Sequence, residues 1–250
     1  MVVSCEVSGP APTSITVAAF GTTRAMTGEG SRFHLLVPVP VRAASGQQKI
    51  KVTGTWPDRR IEALECSFSV TKRDFAVSRI TATKEQTDNV TDEKLRQDSV
   101  KVSAAKSRSS PTKTWASGFQ LPLQARVTTA FGMTRYVNGV ETWRHSGIDY
   151  GAAPGAKVMA AGDGAIVLAT KLNGTGNTVI IDHGFWLFSS YGHMETIQVK
   201  PGEKVKKGQV VVTGGSTGFS TGPHLHWTVT VGSIAVDPTS LIRLAKDLSF

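Results

Sequence analysis

The stretch Pro223-His224-Leu225-His226-Trp227-Thr228-Val229 decides how the second half of the chain is interpreted. It alternates polar and apolar side chains, and alternate side chains of a strand share one face. His224 and His226 therefore point to one side, while Leu225 and Trp227 point to the other. The stretch predicts a strand with one face in the core and the other face in a functional site.

Further histidines and one aspartate extend the pattern upstream of this strand. Five of the six histidines fall between residues 145 and 226, and they include His145-Ser-Gly-Ile-Asp149 and Tyr191-Gly-His193. Imidazole and carboxylate are the ligands that zinc takes when no thiolate is offered, and a catalytic zinc keeps three protein ligands. Two histidines and one aspartate would fill that set. The clustering therefore predicts a metal site.

The step from His145 to Asp149 also has the i, i+4 spacing of helical metal motifs. Gly147, Gly151 and Pro154 argue against a helix here, and no glutamate stands next to His145. Ile148 and Tyr150 would lie opposite Asp149 in a strand. We therefore expect a strand or an extended loop.

These motifs resemble the signature of the lysostaphin-type (LytM-like) zinc metallo-endopeptidases, which cut peptides in bacterial cell walls. The resemblance covers about residues 119–250 and includes glycine-rich steps as well as the histidines. The further matching steps are Phe131-Gly132, Gly147-Ile148-Asp149, Ala160-Ala161-Gly162-Asp163-Gly164, Gly176-Asn177 and Ile181-Asp182-His183-Gly184.

The resemblance implies roles for five side chains. His145, Asp149 and His226 would hold one Zn²⁺ per chain, and His193 and His224 would be the catalytic histidines. Which of these two acts as the general base stays open. His183 is expected to be structural and not a ligand.

An adaptor is the alternative to an enzyme. Some members of this family have lost ligands and activate other wall hydrolases without catalysis. Here all five positions carry competent side chains, which favours a zinc metallo-endopeptidase acting on peptidoglycan peptides. The alternative is a non-catalytic protein that binds wall peptides or activates a hydrolase on the same fold. The bond that is cut stays open.

The charge of the chain is the main compositional signal. Lys and Arg number 28 against 19 Asp and Glu, for a net charge of +9. A basic excess favours a polyanionic partner, such as polymers of the bacterial envelope. No basic stripe with stacking aromatics and no helix-turn-helix motif is present, so nucleic acid is not expected as a partner. No apolar run is long enough for a membrane span, and a monomer is the default expectation.

The chain is predicted to be mainly β and to have three parts. Residues 1–81 contain short β-prone stretches between turn residues, which predicts an immunoglobulin-like β-sandwich. Residues 82–118 read as a linker, with a short helix capped by Thr91 or Asp92 and then a flexible strap. Residues 119–250 are predicted to form the zinc metallopeptidase domain, an antiparallel β-sheet fold.

Two features bear on the cellular compartment. Cys5 and Cys66 could form one disulfide in an exported protein, which the sequence leaves open. The first residues lack the positive start and apolar core of a signal peptide. Because wall substrates lie outside the cytoplasm, we expect an exported protein, periplasmic, in the cell envelope or secreted, whose signal peptide is absent from this chain.

Overall fold

The computed structural model describes residues 1–84 and 90–247, and the chain divides into two compact units, Met1–Asp74 and Phe75–Phe250. Most described secondary structure is β, as predicted. Residues 85–89 of the predicted linker lie outside the described residues. No helix among the described residues has the length and apolar character needed to cross a membrane.

The first unit contains two antiparallel sheets, ordered β1-β5-β4 and β3-β2-β6-β7. Its strands are β1 (Val2–Glu6), β2 (Ser14–Ala19), β3 (Thr22–Ala25), β4 (Thr27–Glu29), β5 (Arg32–Leu36), β6 (Gly46–Thr55) and β7 (Ile61–Val70). Alternate residues of β2 are buried, and Ile15 and Val17 join Leu35 and Ile50 in one apolar core. The assignment of this unit to the immunoglobulin fold stays a prediction.

Both cysteines of the first unit are free thiols in the structure. Cys5 lies on β1 and packs against the apolar core, whereas Cys66 lies exposed on β7. The disulfide that the sequence left open is therefore not formed here.

The second unit is built on an eight-stranded sheet ordered β18-β14-β15-β16-β20-β12-β9, with β21 paired to β20. Two smaller sheets are ordered β13-β19-β17 and β11-β10-β8. The strands are β8 (Val77–Ile80), β9 (Val127–Thr129), β10 (Thr134–Val137), β11 (Val140–Arg144), β12 (Ile148–Gly151), β13 (Lys157–Met159), β14 (Gly164–Leu172), β15 (Gly176–Asp182), β16 (Leu187–Met194), β17 (Thr196–Ile197), β18 (Lys204–Val205), β19 (Val210–Thr213), β20 (His224–Val231) and β21 (Ile234–Val236). The helices are α1 (Asp92–Ala105) and α2 (Pro238–Asp247).

The strand β8 has a different partner from the one that its sequence predicts. The sequence predicts residues 75–80 as part of the first unit, but β8 pairs in parallel with β10 of the second unit. The preceding Phe75 explains this placement, because its ring contacts Phe131 edge-on and lies under the guanidinium of Arg144. These contacts of a partly buried aromatic side chain tie the strand to the second unit.

The segment predicted as a helical linker and flexible strap also packs within the second unit. Thr91 caps α1 by accepting a hydrogen bond from the Lys94 amide, as the sequence predicted. After α1, Ser109 Oγ and the Ser110 amide both donate to the Asp182 carboxylate. Trp115 is buried. The strap is therefore bound by its small polar residues, which supply hydrogen-bond donors to a buried acid.

Candidate metal centre

Two neighbouring strands bring the predicted metal ligands together. Asp149 on β12 is directly paired with His226 on β20 in the antiparallel ladder. The residues beside them, Ile148 and Leu225 among others, are buried on the opposite face. His145 precedes β12, and its backbone amide donates to the Met133 carbonyl. The alternation of the two strands therefore separates a core face from a site face, as the sequence predicted.

Three ligand atoms converge at this point. His145 Nε2 lies 2.9 Å from Asp149 Oδ1 and 3.1 Å from His226 Nδ1. His226 Nδ1 lies 2.7 Å from the same carboxylate oxygen. His145 and Asp149 are almost completely buried. Among the described residues, this group of side chains could hold a metal ion.

In each imidazole, the nitrogen that points away from Asp149 determines whether the nitrogen that faces Asp149 carries a proton or a lone pair. His145 Nδ1 lies 2.9 Å from the Ala130 carbonyl, which can only accept, so Nδ1 carries the proton. His226 Nε2 lies 2.9 Å from Thr228 Oγ1. Burial lowers the pKa of His226, so this ring is neutral at pH 7. When Thr228 accepts from Nε2, both rings turn a lone pair towards Asp149 Oδ1.

The charge state of Asp149 completes the donor set. Burial alone would raise the pKa of this carboxyl, but when His145 Nε2 or His226 Nδ1 carries a proton, the hydrogen bond and charge of that ring outweigh burial and hold the pKa well below its usual range. The group is therefore an anion. A carboxylate oxygen and two imidazole lone pairs within 3.1 Å of one another repel unless a cation lies between them. The residues present therefore fit a divalent metal such as zinc.

Arg135 contacts the same carboxylate from its other side. Its Nη2 atom lies 3.3 Å from Asp149 Oδ2, and both side chains are largely buried. Oδ1 thus faces the imidazoles while Oδ2 faces the guanidinium. The sequence does not predict a role for Arg135, because no pattern relates a strand arginine to an aspartate fourteen positions later. The metal-ligand motif alone gave no signal for it.

Two further histidines lie beside the three candidate ligands. The ring centroids of His193 and His224 are 4.6 Å apart, and that of His193 is 6.0 Å from the ring of His226. His224 Nε2 lies 3.9 Å from Asp149 Oδ1. The structure therefore brings all five predicted site residues into one cluster.

Each of these two rings is oriented by a carbonyl group. His193 Nδ1 lies 2.8 Å from the Thr217 carbonyl, and His224 Nδ1 lies 2.8 Å from the Gly222 carbonyl. Because a carbonyl only accepts, Nδ1 carries a proton in both rings, and Nε2 has a lone pair in the neutral form of each ring. Burial lowers the pKa of His193 to about 3, so this ring is neutral at pH 7. Both rings can accept a proton at Nε2.

The backbone of His193 has an unusual conformation. Its φ is +66°, in the left-handed region that non-glycine residues rarely adopt. The amide of His193 donates to the Thr175 carbonyl at 2.6 Å. Such a conformation persists only where the surroundings hold it, and it clusters at functional sites.

His183, by contrast, belongs to a buried hydrogen-bond chain with partners of its own. Its Nδ1 donates to the Asp163 carbonyl at 2.7 Å, so Nε2 accepts from Ser189 Oγ at 2.8 Å. Ser189 Oγ also lies 3.0 Å from Tyr191 Oη. His183 has no exposed surface. This arrangement agrees with a structural role.

The sequence of the site region matches a known family. Residues 143–238 match the family model described as Peptidase family M23. This part of the chain is therefore similar in sequence to peptidase family M23. The match includes all five clustered residues and begins after Arg135 and α1.

Curated relatives with named activities match part of the chain. The peptidoglycan DD-endopeptidase ShyB of Vibrio cholerae is 39% identical over 106 residues, which are 42% of this chain and 25% of that protein. The DD-carboxypeptidase/endopeptidase Mpg of Neisseria meningitidis is 38% identical over 125 residues, which are 50% of this chain and 29% of that protein. The chain thus spans between a quarter and a third of these relatives.

A solved structure matches nearly the whole chain. A protein of Pseudomonas aeruginosa, described as a candidate peptidase M23, superposes with a TM-score of 0.68. The match covers 96% of this chain and 92% of that chain at 24% identity. At this identity the likeness establishes the fold alone.

Proposed function

We propose that the protein is a zinc-dependent endopeptidase that hydrolyses peptide bonds of bacterial peptidoglycan. One observation carries this proposal: an anionic carboxylate and two imidazoles converge within 3.1 Å, beside two further histidines with free Nε2 atoms. The match of residues 143–238 to family M23 supports the peptidase class.

His145 Nε2, Asp149 Oδ1 and His226 Nδ1 would hold the zinc ion. When bound, zinc supplies Lewis acidity, which polarises a peptide carbonyl and makes water nucleophilic near neutral pH. The residues themselves prepare this site, because the Ala130 carbonyl fixes the tautomer of His145. Hydrogen bonds behind metal ligands orient them and raise their basicity.

His193 and His224 would handle the protons of hydrolysis. Each ring has its Nδ1 proton bound to a carbonyl and its Nε2 free, so each can accept a proton and later return it. At each step one neutral ring would act as the base. A ring that has accepted a proton would then donate a hydrogen bond to the developing oxyanion or transfer the proton to the leaving amine. Hydrolysis would consume one water, break one peptide bond and leave one carboxyl and one amino product.

The curated relatives suggest the substrate class. ShyB is named a peptidoglycan DD-endopeptidase and Mpg a DD-carboxypeptidase/endopeptidase, so a peptide bond between D-amino acids is our proposed target. The net charge of +9 favours attraction to a polyanionic wall. Such a substrate lies outside the cytoplasm, which makes an exported protein our proposal for localisation.

The alternative is an adaptor that binds wall peptides or activates another hydrolase on the same fold. Digestion of purified peptidoglycan, followed by mass spectrometry of the released peptides, separates the two functions. We expect cleavage by the full chain, loss of cleavage with a chelator, and recovery when zinc is restored. The mass of the fragments identifies the bond.

Variants test the roles of the two histidines. His193→Ala and His224→Ala should each lower the rate at least a hundredfold while one zinc ion stays bound. His34→Ala, at a histidine of the first unit that is bonded to Ser4, is the matched control and should keep full activity. An inactive wild type that still binds zinc would favour the adaptor, and an active His224→Ala would remove that residue from the mechanism.

A further inference from the structure

Helix α1 precedes the part of the chain that matches family M23. An acidic side chain of the helix binds it to the rest of the second unit. Asp98 is only 6% exposed and is the buried residue of this helix. The apolar side chains of Leu95 and Val100 are exposed. A buried carboxylate is costly unless it is hydrogen-bonded, so the partners of Asp98 explain why the helix packs here.

Asp98 binds the turn between β14 and β15. Oδ1 accepts hydrogen bonds from the backbone amide of Asn173 at 3.0 Å and from its side-chain amide at 2.9 Å. Oδ2 accepts from the Gly174 amide at 2.8 Å. Hydrogen bonds to an ionised acceptor are about twice as strong as neutral ones. The helix therefore fixes the position of this turn.

The other side of the same turn holds His193. The Thr175 carbonyl accepts from the His193 amide at 2.6 Å, which supports the left-handed φ of that residue. The Gly174 carbonyl accepts from the Phe219 amide at 2.8 Å. Phe219 lies two residues after Thr217, whose carbonyl orients the His193 ring. One turn thus supports both the backbone and the imidazole of His193.

We propose that Asp98 is a positioning residue for His193, although it lies outside the matched family residues. This inference rests on the proposed function, since it takes His193 as catalytic. Asp98 touches no reacting atom. It acts by holding residues 173–175, which in turn hold the histidine in a conformation that it would otherwise leave.

Kinetics of Asp98 variants in the full chain test this role. Asp98→Ala should lower kcat on soluble wall peptides roughly tenfold to a hundredfold, because a displacement of about 1 Å has this effect on positioned groups. KM and zinc content should stay within twofold of wild type. Asp98→Asn keeps one oxygen acceptor, and its kcat should lie between those of wild type and Asp98→Ala. Asp92→Ala, in the exposed first turn of the same helix, is the matched control and should equal wild type.

A second readout does not depend on turnover. The imidazole ¹⁵N signals of His193, assigned with His193→Gln, should shift in Asp98→Ala because the bond to the Thr217 carbonyl is weakened. The signals of His183 should stay unchanged. Folded, zinc-loaded Asp98→Ala with wild-type kcat and unshifted His193 signals would overturn the proposal.

The two proposals can fail separately. If the wild type cuts no wall peptide but Asp98→Ala still shifts the His193 signals, the positioning role stands and the peptidase function fails. If Asp98→Ala does not fold, Asp98→Asn carries the same comparison, and wild-type kcat with unshifted signals in that variant would overturn the positioning role.

Discussion

The carboxylate of Asp149 divides its two oxygens between different partners. Oδ1 lies within 2.9 Å of both candidate imidazole ligands, and Oδ2 lies 3.3 Å from Arg135 Nη2. With Oδ2 engaged, only Oδ1 is directed at the proposed metal position. At the scale of single residues, Arg135 therefore has for Asp149 the role that the Ala130 carbonyl has for His145.

Arg135→Gln is expected to weaken zinc binding tenfold to a hundredfold, the usual effect of removing a partner behind a metal ligand. The glutamine cannot reproduce a charged contact to Oδ2, so the carboxylate is free to rotate. Competition with a chromophoric chelator measures the change. Arg79→Gln is the matched control, because Arg79 lies on β8 of the same small sheet and stacks on Tyr136 instead. Equal zinc affinity in Arg135→Gln and wild type would contradict this role.

The sequence predicted the candidate ligands and catalytic histidines, but it did not predict the residues that position them. His224 and His226 share a face because strand alternation is a local property of consecutive residues. Arg135 and Asp98 could not be predicted in this way. Each meets its partner through tertiary packing, and Asp98 and Asn173 are 75 positions apart.

At the scale of elements, the contact between β12 and β20 depends on Gly147. A Cβ at this position would lie 2.4 Å from the Trp227 carbonyl oxygen and 2.7 Å from Thr228 Oγ1. Backbone cannot move aside as a flexible side chain can. The glycine therefore permits the close approach that places the ligands of both strands together.

Gly147→Ala should destabilise the second unit by about 1–3 kcal/mol, the usual cost of overpacking. Zinc affinity should fall as well, because the displaced Thr228 contacts His226. Gly151→Ala, at the last residue of β12, is the control, since its Cβ would meet only ordinary contacts at 3.8 Å or beyond. Urea unfolding and a zinc titration measure both effects. Equal free energies of unfolding for Gly147→Ala and Gly151→Ala would contradict the clash at Gly147.

The end of β15 carries a pH-sensitive contribution to stability. Burial lowers the pKa of His183 from 6.5 to about 4. The unfolded chain binds a proton at this residue below about pH 6.5, whereas the folded chain binds one only near pH 4. Stability is therefore highest above pH 6.5 and falls with acidification through this window.

For His183 alone, the free energy of unfolding should decrease by about 3 kcal/mol between pH 7 and pH 4. Urea unfolding of metal-free protein at several pH values measures the slope. His183→Gln does not titrate and should show a shallower slope than wild type. Parallel slopes would show that His183 does not carry this pH dependence.

Element boundaries were predictable only where the signal is local. The start of α1 follows from the cap at Thr91, which bonds to a residue three positions away. The pairing of β8 with β10 was not predictable, because parallel strands are joined through a long connection and Phe75 gives no sign of its distant partner.

At the scale of the whole molecule, metal should stabilise one unit and not the other. All three candidate ligands lie in Phe75–Phe250, and the first unit has an apolar core of its own. A ligand that binds only the folded state at a hundredfold excess over its Kd adds about 2.7 kcal/mol. The units should therefore respond differently to a chelator.

Calorimetry of the full chain should show a melting transition that moves down by several degrees when a chelator is added. A transition of the first unit should not move. His145→Ala should remove the difference between the two conditions, because one of the three ligands is lost. A uniform shift of all transitions would contradict assignment of the metal to the second unit alone.

The pairing of Asp149 opposite His226 also has a consequence for the register of β12 and β20 during folding. A slip of one residue between β12 and β20 would turn the ligands of one strand to the opposite face, since side chains alternate with a period of two. A mispaired sheet could not assemble the three ligands. Zinc binding would therefore favour chains in which β12 and β20 are paired in the correct register over chains in which they are mispaired.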